Sequence, residues 1–410
     1  MVDRNLFAHD LAIAAILKNE GHYIKEWLDY HLLAGVDHFY LYDNDSTDNY
    51  AEIIAPYVDA GLVTSKHIGG KSAQFAAYDD AVLNHRFDCR YMAFVDLDEF
   101  ILPRTTTDTI SATLDDVLKN FPDASGLAVN WQLYGSSGHE TADYSRGVLE
   151  RFTRRAPVDW IVPIPHRDIP GGNAQVKTVA NPRRIFCFTS AHFPIYFAGN
   201  FSVNERGGRV DSYCNAPVTA ERLVVNHYNV KSRAEFLGKL GKGRADKSTN
   251  YFSDEWFGIY DRNEIFDDGI LKYRAARAEK FALETDEHRL HRMKTTLIAT
   301  LAAYAENDFP ADKLETALTC CAAAERLQEK IFAEASLAAV LKSLDGLNFS
   351  DAQLFLSELP NLLRLPYSAA DDLRGAAIEI ISRLIDFMRA NECWKDFAKL
   401  EHLRRLLKIF

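Results

Sequence analysis

The chain lacks the marks of a zinc module, a disulfide scaffold or a nucleic-acid binder. Its six cysteines among 410 residues (Cys89, Cys187, Cys214, Cys320, Cys321, Cys393) have neither metal-ligand spacing nor disulfide density, which favours a reducing compartment. Positive charge is scarce: 47 Lys and Arg stand against 58 Asp and Glu, a net charge of −11, which argues against a non-specific nucleic-acid partner. Met1 to Asp10 holds Asp3, Arg4, His9 and Asp10 and no apolar leader core, and Leu11 to Leu17 is far too short to span a bilayer. A soluble, cytoplasmic protein is expected, with peripheral attachment to the inner face of a membrane left open.

What is present is a globular composition, 47% hydrophobic and 26% charged, over a length that allows two or three domains. The first hundred residues alternate strand and helix signals. Leu11–Leu17, Phe39–Tyr42, Leu62–His67 and Tyr91–Val95 read as strands. Tyr23–Ala34, Ile53–Val58 and Ser72–Phe87 read as helices between them, the first closed by Gly35. This alternation predicts an α/β fold with βαβ units and a mostly parallel sheet. Residues 126–228 turn β-rich, with strands at Gly126–Tyr134, Arg184–Thr189 and Leu223–Tyr228. From about residue 270 the composition becomes helical, so residues 1–270 are expected to form the α/β domain and residues 271–410 an all-α module.

Ligands of such sheets bind outside the carboxyl ends of the strands. Lys18-Asn19-Glu20, Asp43-Asn44-Asp45 and Asp96-Leu97-Asp98-Glu99 all fall there. If the run from Tyr91 continues as a strand, its period of two sends Asp96 and Asp98 to one side, where they repel unless a cation separates them. A hard divalent ion bridging to a diphosphate answers that need, and a strand-end turn with two solvated acids is the plain alternative. Asp43 to Asp48 suits a ribose or a uracil, with Ser46 capping the next helix, although an ordinary capping turn uses the same residue types. Beyond His227, Lys231, Lys239 and Arg244 lie among Gly238, Gly241 and Gly243, a pattern suited to a diphosphate or to a solvated helix end. Gly135-Ser136-Ser137-Gly138-His139-Glu140 follows a strand and offers a flexible loop with a histidine and a carboxylate, and His192 sits in an aromatic context.

The ordered set Lys18-Asn19-Glu20, Tyr23-Ile24-Lys25-Glu26-Trp27-Leu28-Asp29-Tyr30-His31, Tyr42 to Asp48, Phe94 to Phe100, Tyr134 to His139, His192-Phe193 and His227 to Lys239 resembles glycosyltransferase family 92 and bacterial family-2-like glycosyltransferases. The likeness covers about residues 10–265. It implies a GT-A fold, a nucleotide-sugar donor, expected to be UDP-linked, and a manganese or magnesium ion at Asp96 and Asp98; His227 is the residue expected to complete the metal shell. It implies inverting transfer to the hydroxyl of a glycan or lipid-linked acceptor in cell-surface polysaccharide or lipopolysaccharide synthesis. Lys18, Asn19, Glu20, Asp43, Asn44, Asp45, Lys231, Lys239 and Arg244 are the expected donor-binding residues, and Trp131, Gly135, Ser136 and His192 line the sugar or acceptor region. The catalytic base is assigned to His139 or Glu140. A nucleotidyltransferase is the enzyme alternative, against which the single glycine of Lys18-Asn19-Glu20-Gly21 counts. A carbohydrate-binding or scaffold protein with a decayed site is the non-enzyme alternative. The basic, amphipathic segment 396–410 suits an anionic membrane or ordinary packing, and oligomerisation is open.

Overall fold

A computed structural model describes residues 2–105, 108–163, 170–240, 253–365 and 369–390. The chain divides into two compact units, one comprising His9–Tyr196 and Phe201–Leu283, the other the residues up to Ala8, Phe197–Asn200 and the chain from Glu284 onward.

The first unit is built on a ten-stranded sheet. Its strands are β1 (His9–Leu17), β2 (His38–Asp43), β3 (Val63–His67), β4 (Cys89–Phe94), β5 (Glu99–Pro103), β6 (Gly126–Leu133), β7 (Val176–Ala180), β8 (Ser202–Val203), β9 (Arg209–Val210) and β10 (Leu223–His227). The order is β9-β8-β6-β7-β4-β1-β2-β3, with β10 pairing to both β5 and β6. Strands β4, β1, β2 and β3 run parallel, whereas β7 is antiparallel to both β4 and β6. The architecture is therefore the expected α/β one, with a mostly parallel central sheet. Residues Leu11–Leu17 are buried throughout, as a central strand covered on both faces requires.

Helices α1 (Gly21–Leu33), α2 (Tyr50–Asp59), α3 (Gln74–His85) and α4 (Ile110–Leu118) connect these strands, and α5 (Val148–Arg151), α6 (Arg233–Leu240), α7 (Asp254–Tyr260) and α8 (Gly269–Ala278) follow. Helix α1 ends at Gly35, whose φ of +93° suits glycine, and a Cβ there would lie 2.6 Å from the side chain of Thr109. Its inner face anchors β5. Trp27 Nε1 donates to the carbonyl of Glu99 at 2.8 Å, Tyr30 Oη donates to that of Ile101 at 2.9 Å, and the Ile101 amide donates to His31 Nε2 at 3.3 Å. His31 Nδ1 donates in turn to the carbonyl of Trp27 at 2.9 Å, and burial drives its pKa down to about 3, so the ring is neutral. The Trp27-to-His31 segment thus holds the strand that follows the acidic turn.

The second unit contains α9 (Asp286–Ala305), α10 (Lys313–Leu327), α11 (Lys330–Ser343), α12 (Phe349–Leu362) and α13 (Ala370–Ala390). Leu6 and Phe7 pack in one cluster with Met293, Leu297, Cys320 and Ala324. No described helix is long and apolar enough to cross a membrane. Segment 396–410 lies outside the described residues, as does Arg244.

Candidate active site

Strand registers place the acidic segments side by side. Leu17 pairs with Asp43, Asp43 with His67, and Ala14 with Phe94, so Lys18, Asp43 and Asp96 emerge at one edge of the sheet. Strand β4 ends at Phe94, and residues 95–98 form a turn. Period-two alternation therefore does not carry through to Asp98, and the two carboxylates meet different cations.

Asp96 Oδ2 accepts from Lys177 Nζ at 2.9 Å and Asp96 Oδ1 from Gln74 Nε2 at 2.6 Å. Asp98 Oδ2 accepts from Lys239 Nζ at 2.6 Å, while Asp98 Oδ1 faces His227 Nε2 at 3.4 Å. Glu99 turns inward: its Oε2 accepts from the Asp96 amide at 2.8 Å and lies 3.3 Å from Lys177 Nζ. Lys177 completes its donors on the carbonyl of Ala191 at 3.1 Å.

Electrostatics follow from this pairing. Burial opposes the charge on Lys177, yet Asp96 and Glu99 outweigh it and raise its pKa well above the usual lysine value. Burial pushes Glu99 well above the carboxylate range despite Lys177, with Asp96 and Asp98 adding to the rise. Asp98 is pulled well below that range, because Lys239, His227 and Lys231 together exceed its desolvation. Lys231, at a left-handed φ of 53°, is buried and has its ammonium 4.6 Å from the centre of the Tyr23 ring. Desolvation lowers its pKa, opposed by Asp98.

Beneath this cluster, the His227 ring lies 4.2 Å from the ring of Trp131, which lies 5.1 Å from that of His192. Glu235 on α6 accepts both guanidinium arms of Arg151 at 2.8 and 2.9 Å, with Tyr23 Oη at 3.0 Å. The same short helix therefore carries Lys239 to Asp98 and is pinned at its start by a buried ion pair.

Other expected residues serve the loops. Asn19, at φ 54°, accepts the Thr47 amide on its side chain at 2.7 Å, and its own amide donates to Ser46 Oγ at 2.9 Å. Ser46 thus ties two strand ends together and does not cap α2, whose N-cap is Asn49. Asn44 donates to the carbonyls of Ile68 and Gly70, and Asp45 accepts from His67 Nε2 at 2.9 Å. Asp43 is buried and accepts the Ser46 amide at 3.1 Å. Lys18 and Glu20 are half-buried beside the site.

The Gly135–Glu140 loop is packed, not loose. A Cβ on Gly135 would lie 2.4 Å from the carbonyl of Arg262, and Ser136 donates its amide to Asp261 at 2.6 Å. His139 Nε2 is bonded to the carbonyl of Arg151 at 3.0 Å, and Glu140 is exposed. The carbonyls of His139 and Glu140 accept from the first amides of α6, Arg233 and Ala234, each at 3.0 Å. Among the described residues, no hydrogen bond or ion pair joins either side chain to Asp96, Asp98 or His227.

Sequence reading missed Lys177, Gln74 and the inward turn of Glu99. A signal for Lys177 was available: it is the single charge in the otherwise apolar and hydroxylic run Val176-Lys177-Thr178-Val179-Ala180.

The model of glycosyltransferase family 92 matches residues 14–268, more than half of the chain. The chain belongs to glycosyltransferase family 92. A family 92 protein of Ricinus communis is 30% identical over 259 residues, 62% of this chain and 41% of that protein. One from Oryza sativa subsp. japonica is 28% identical over 153 residues, covering 36% of this chain and 25% of its own length. A galactan β-1,4-galactosyltransferase of Arabidopsis thaliana is 25% identical over 192 residues, 43% of this chain and 34% of that protein. The chain spans less than half the length of these curated relatives. Every site residue described above lies within the span matched by the family 92 model.

Proposed function

We propose that this family 92 domain transfers a sugar from a nucleotide-sugar donor, UDP-linked, to a hydroxyl of a glycan acceptor, with inversion and with a divalent ion. The observation that carries the reading is the convergence of Asp98, His227 and Lys239 beside Asp96 at the ligand-binding edge of the parallel strands. Two ligands at right angles on a small divalent ion lie about 3 Å apart for metal–oxygen bonds of about 2.1 Å. Asp98 Oδ1 and His227 Nε2, 3.4 Å apart, fit that separation, while Lys239 occupies the other Asp98 oxygen. Among the described residues no group of three His, Cys, Asp or Glu side chains is poised around one point. Donor phosphate and water would have to supply the remaining positions of a magnesium- or manganese-like ion. When bound, such an ion supplies positive charge to the departing diphosphate.

The chain's own residues do the rest. Lys231, buried, and Lys239, half-buried, place two ammonium groups where leaving-group charge develops. Asp96, held by Lys177 and Gln74 and with its carboxylate 35% exposed, presents a fixed acceptor to the donor. Trp131 and His192 form an aromatic floor for the sugar. Glu140 is the candidate base, since its carboxylate is exposed while His139 is engaged with the main chain. The galactan galactosyltransferase relative supports a polysaccharide acceptor, as in assembly of a cell-surface glycan. Hydrolysis of a panel of nucleotide sugars, with manganese and with chelator, tests the reading. Manganese-dependent release of one nucleoside diphosphate is expected, and no release from any donor would contradict it.

A further inference from the structure

His227 and Glu99 are direct cross-strand partners in the antiparallel β10–β5 pair, so their side chains share one face of the sheet. The imidazole lies between two carboxylates. Its Nε2 faces Asp98 Oδ1 at 3.4 Å and its Nδ1 faces Glu99 Oε1 at 3.9 Å. Glu99 Oε1 and His227 Nδ1 are both buried without a hydrogen-bond partner, although buried polar atoms are normally paired. Glu99 Oε2, by contrast, is fully used by the Asp96 amide and Lys177.

We infer that Glu99 is a positioning residue that holds the His227 proton on Nδ1 and so leaves Nε2 as a metal ligand. This rests on the metal reading given above. An imidazole metallated on one nitrogen keeps its remaining proton on the other, and that proton needs an acceptor. Among the described residues Glu99 Oε1 is the unpaired oxygen facing Nδ1; as a carboxylate, the form that Lys177 and a cation held on Nε2 would favour against burial, it accepts that proton once the 3.9 Å separation closes to hydrogen-bond distance. Lys177 keeps Glu99 from rotating away, because it and the Asp96 amide grip the other oxygen.

Glu99→Gln tests this with a predetermined orientation. The amide oxygen must take the Oε2 position, where two donors already point, so the NH2 group is aimed at His227 Nδ1. Nδ1 then becomes an acceptor and the ring proton moves to Nε2, where it blocks a metal. Manganese binding in the presence of UDP is measured by electron paramagnetic resonance, with electron spin-echo modulation reporting a coordinated imidazole nitrogen. The wild-type protein is expected to show that modulation, and E99Q to lose it together with roughly 10–100-fold in manganese affinity. Equal affinity within about twofold in a folded E99Q, or wild-type binding without nitrogen modulation, would overturn the inference. Should E99Q not fold, 15N shifts of His227 in the magnesium-loaded wild-type protein locate the proton directly: Nδ1–H supports the assignment and Nε2–H refutes it. A wild-type protein that binds no manganese at all would remove the metal reading and this inference together, a result distinct from equal binding by the two proteins.

Discussion

Lys177 Nζ stands 2.9 Å from Asp96 Oδ2, joining the middle of an antiparallel strand to the first carboxylate of the acidic turn across 81 residues of sequence. The lysine side chain is only 1% exposed, and it also faces the wholly buried Glu99. Two carboxylates there depend on one cation.

Removing that cation leaves Asp96 and Glu99 each short of a donor. Lys177→Met is expected to destabilise the protein by about 1–3 kcal/mol, the range for leaving a buried polar group unsatisfied. Urea denaturation measures it. The double variant Lys177→Met/Glu99→Leu should recover part of the loss, because the orphaned carboxyl is gone. A double variant no more stable than K177M would show that the pair is not what the lysine supports.

Glu235 sets an acid limit. Burial pushes its carboxyl up, but Arg151, Ser232 and Tyr23 outweigh that and hold the pKa at about 2, against an ordinary 4.5. A carboxyl depressed on folding contributes stability that is present above about pH 4.5 and lost as pH falls towards 2, here about 3 kcal/mol. Both partners' side chains are almost wholly buried, so solvent screening does little to reduce this. Unfolding free energies of the wild-type protein measured from pH 6 down to pH 3 should fall more steeply than those of Glu235→Gln. Parallel pH profiles would contradict the assignment.

Glu140 is testable as the base through kinetics. Glu140→Gln should lower kcat by about 10²–10⁴-fold and leave nucleoside diphosphate affinity unchanged, since the residue touches none of the donor-side groups. A variant with wild-type kcat would pass the role to another residue.

Much of the fold was legible because local signals were strong. Leu11–Leu17 is an unbroken apolar run, and Tyr23–Leu32 has a helical stripe ended by Gly35, so β1 and α1 emerge within two residues of their expected bounds. Strands β5 and β7 were not legible. The first starts directly after the acidic turn, and the second is broken by Lys177 and Thr178, so each owes its place to antiparallel partners distant in sequence. The location of Asp96 and Asp98 at the strand ends could be read from spacing. Which lysine meets which carboxylate could not, because Lys239 reaches Asp98 across 141 residues of sequence and Lys177 reaches Asp96 across 81. The structure also reveals what Trp27, Tyr30 and His31 do for the acidic turn: they bind the carbonyl and amide groups of the strand that follows it.

The central claim is that Asp98 holds a divalent ion against the diphosphate of the donor. Calorimetric titration of UDP into the wild-type protein and into Asp98→Asn, each with manganese and with chelator, measures it most directly. The wild-type protein should bind UDP at least about tenfold more tightly with manganese, and D98N should lose that difference while remaining folded, at a stability cost of about 1–3 kcal/mol for the weakened Lys239 pairing. Equal UDP affinity with and without manganese, or an undiminished manganese effect in D98N, would contradict the account.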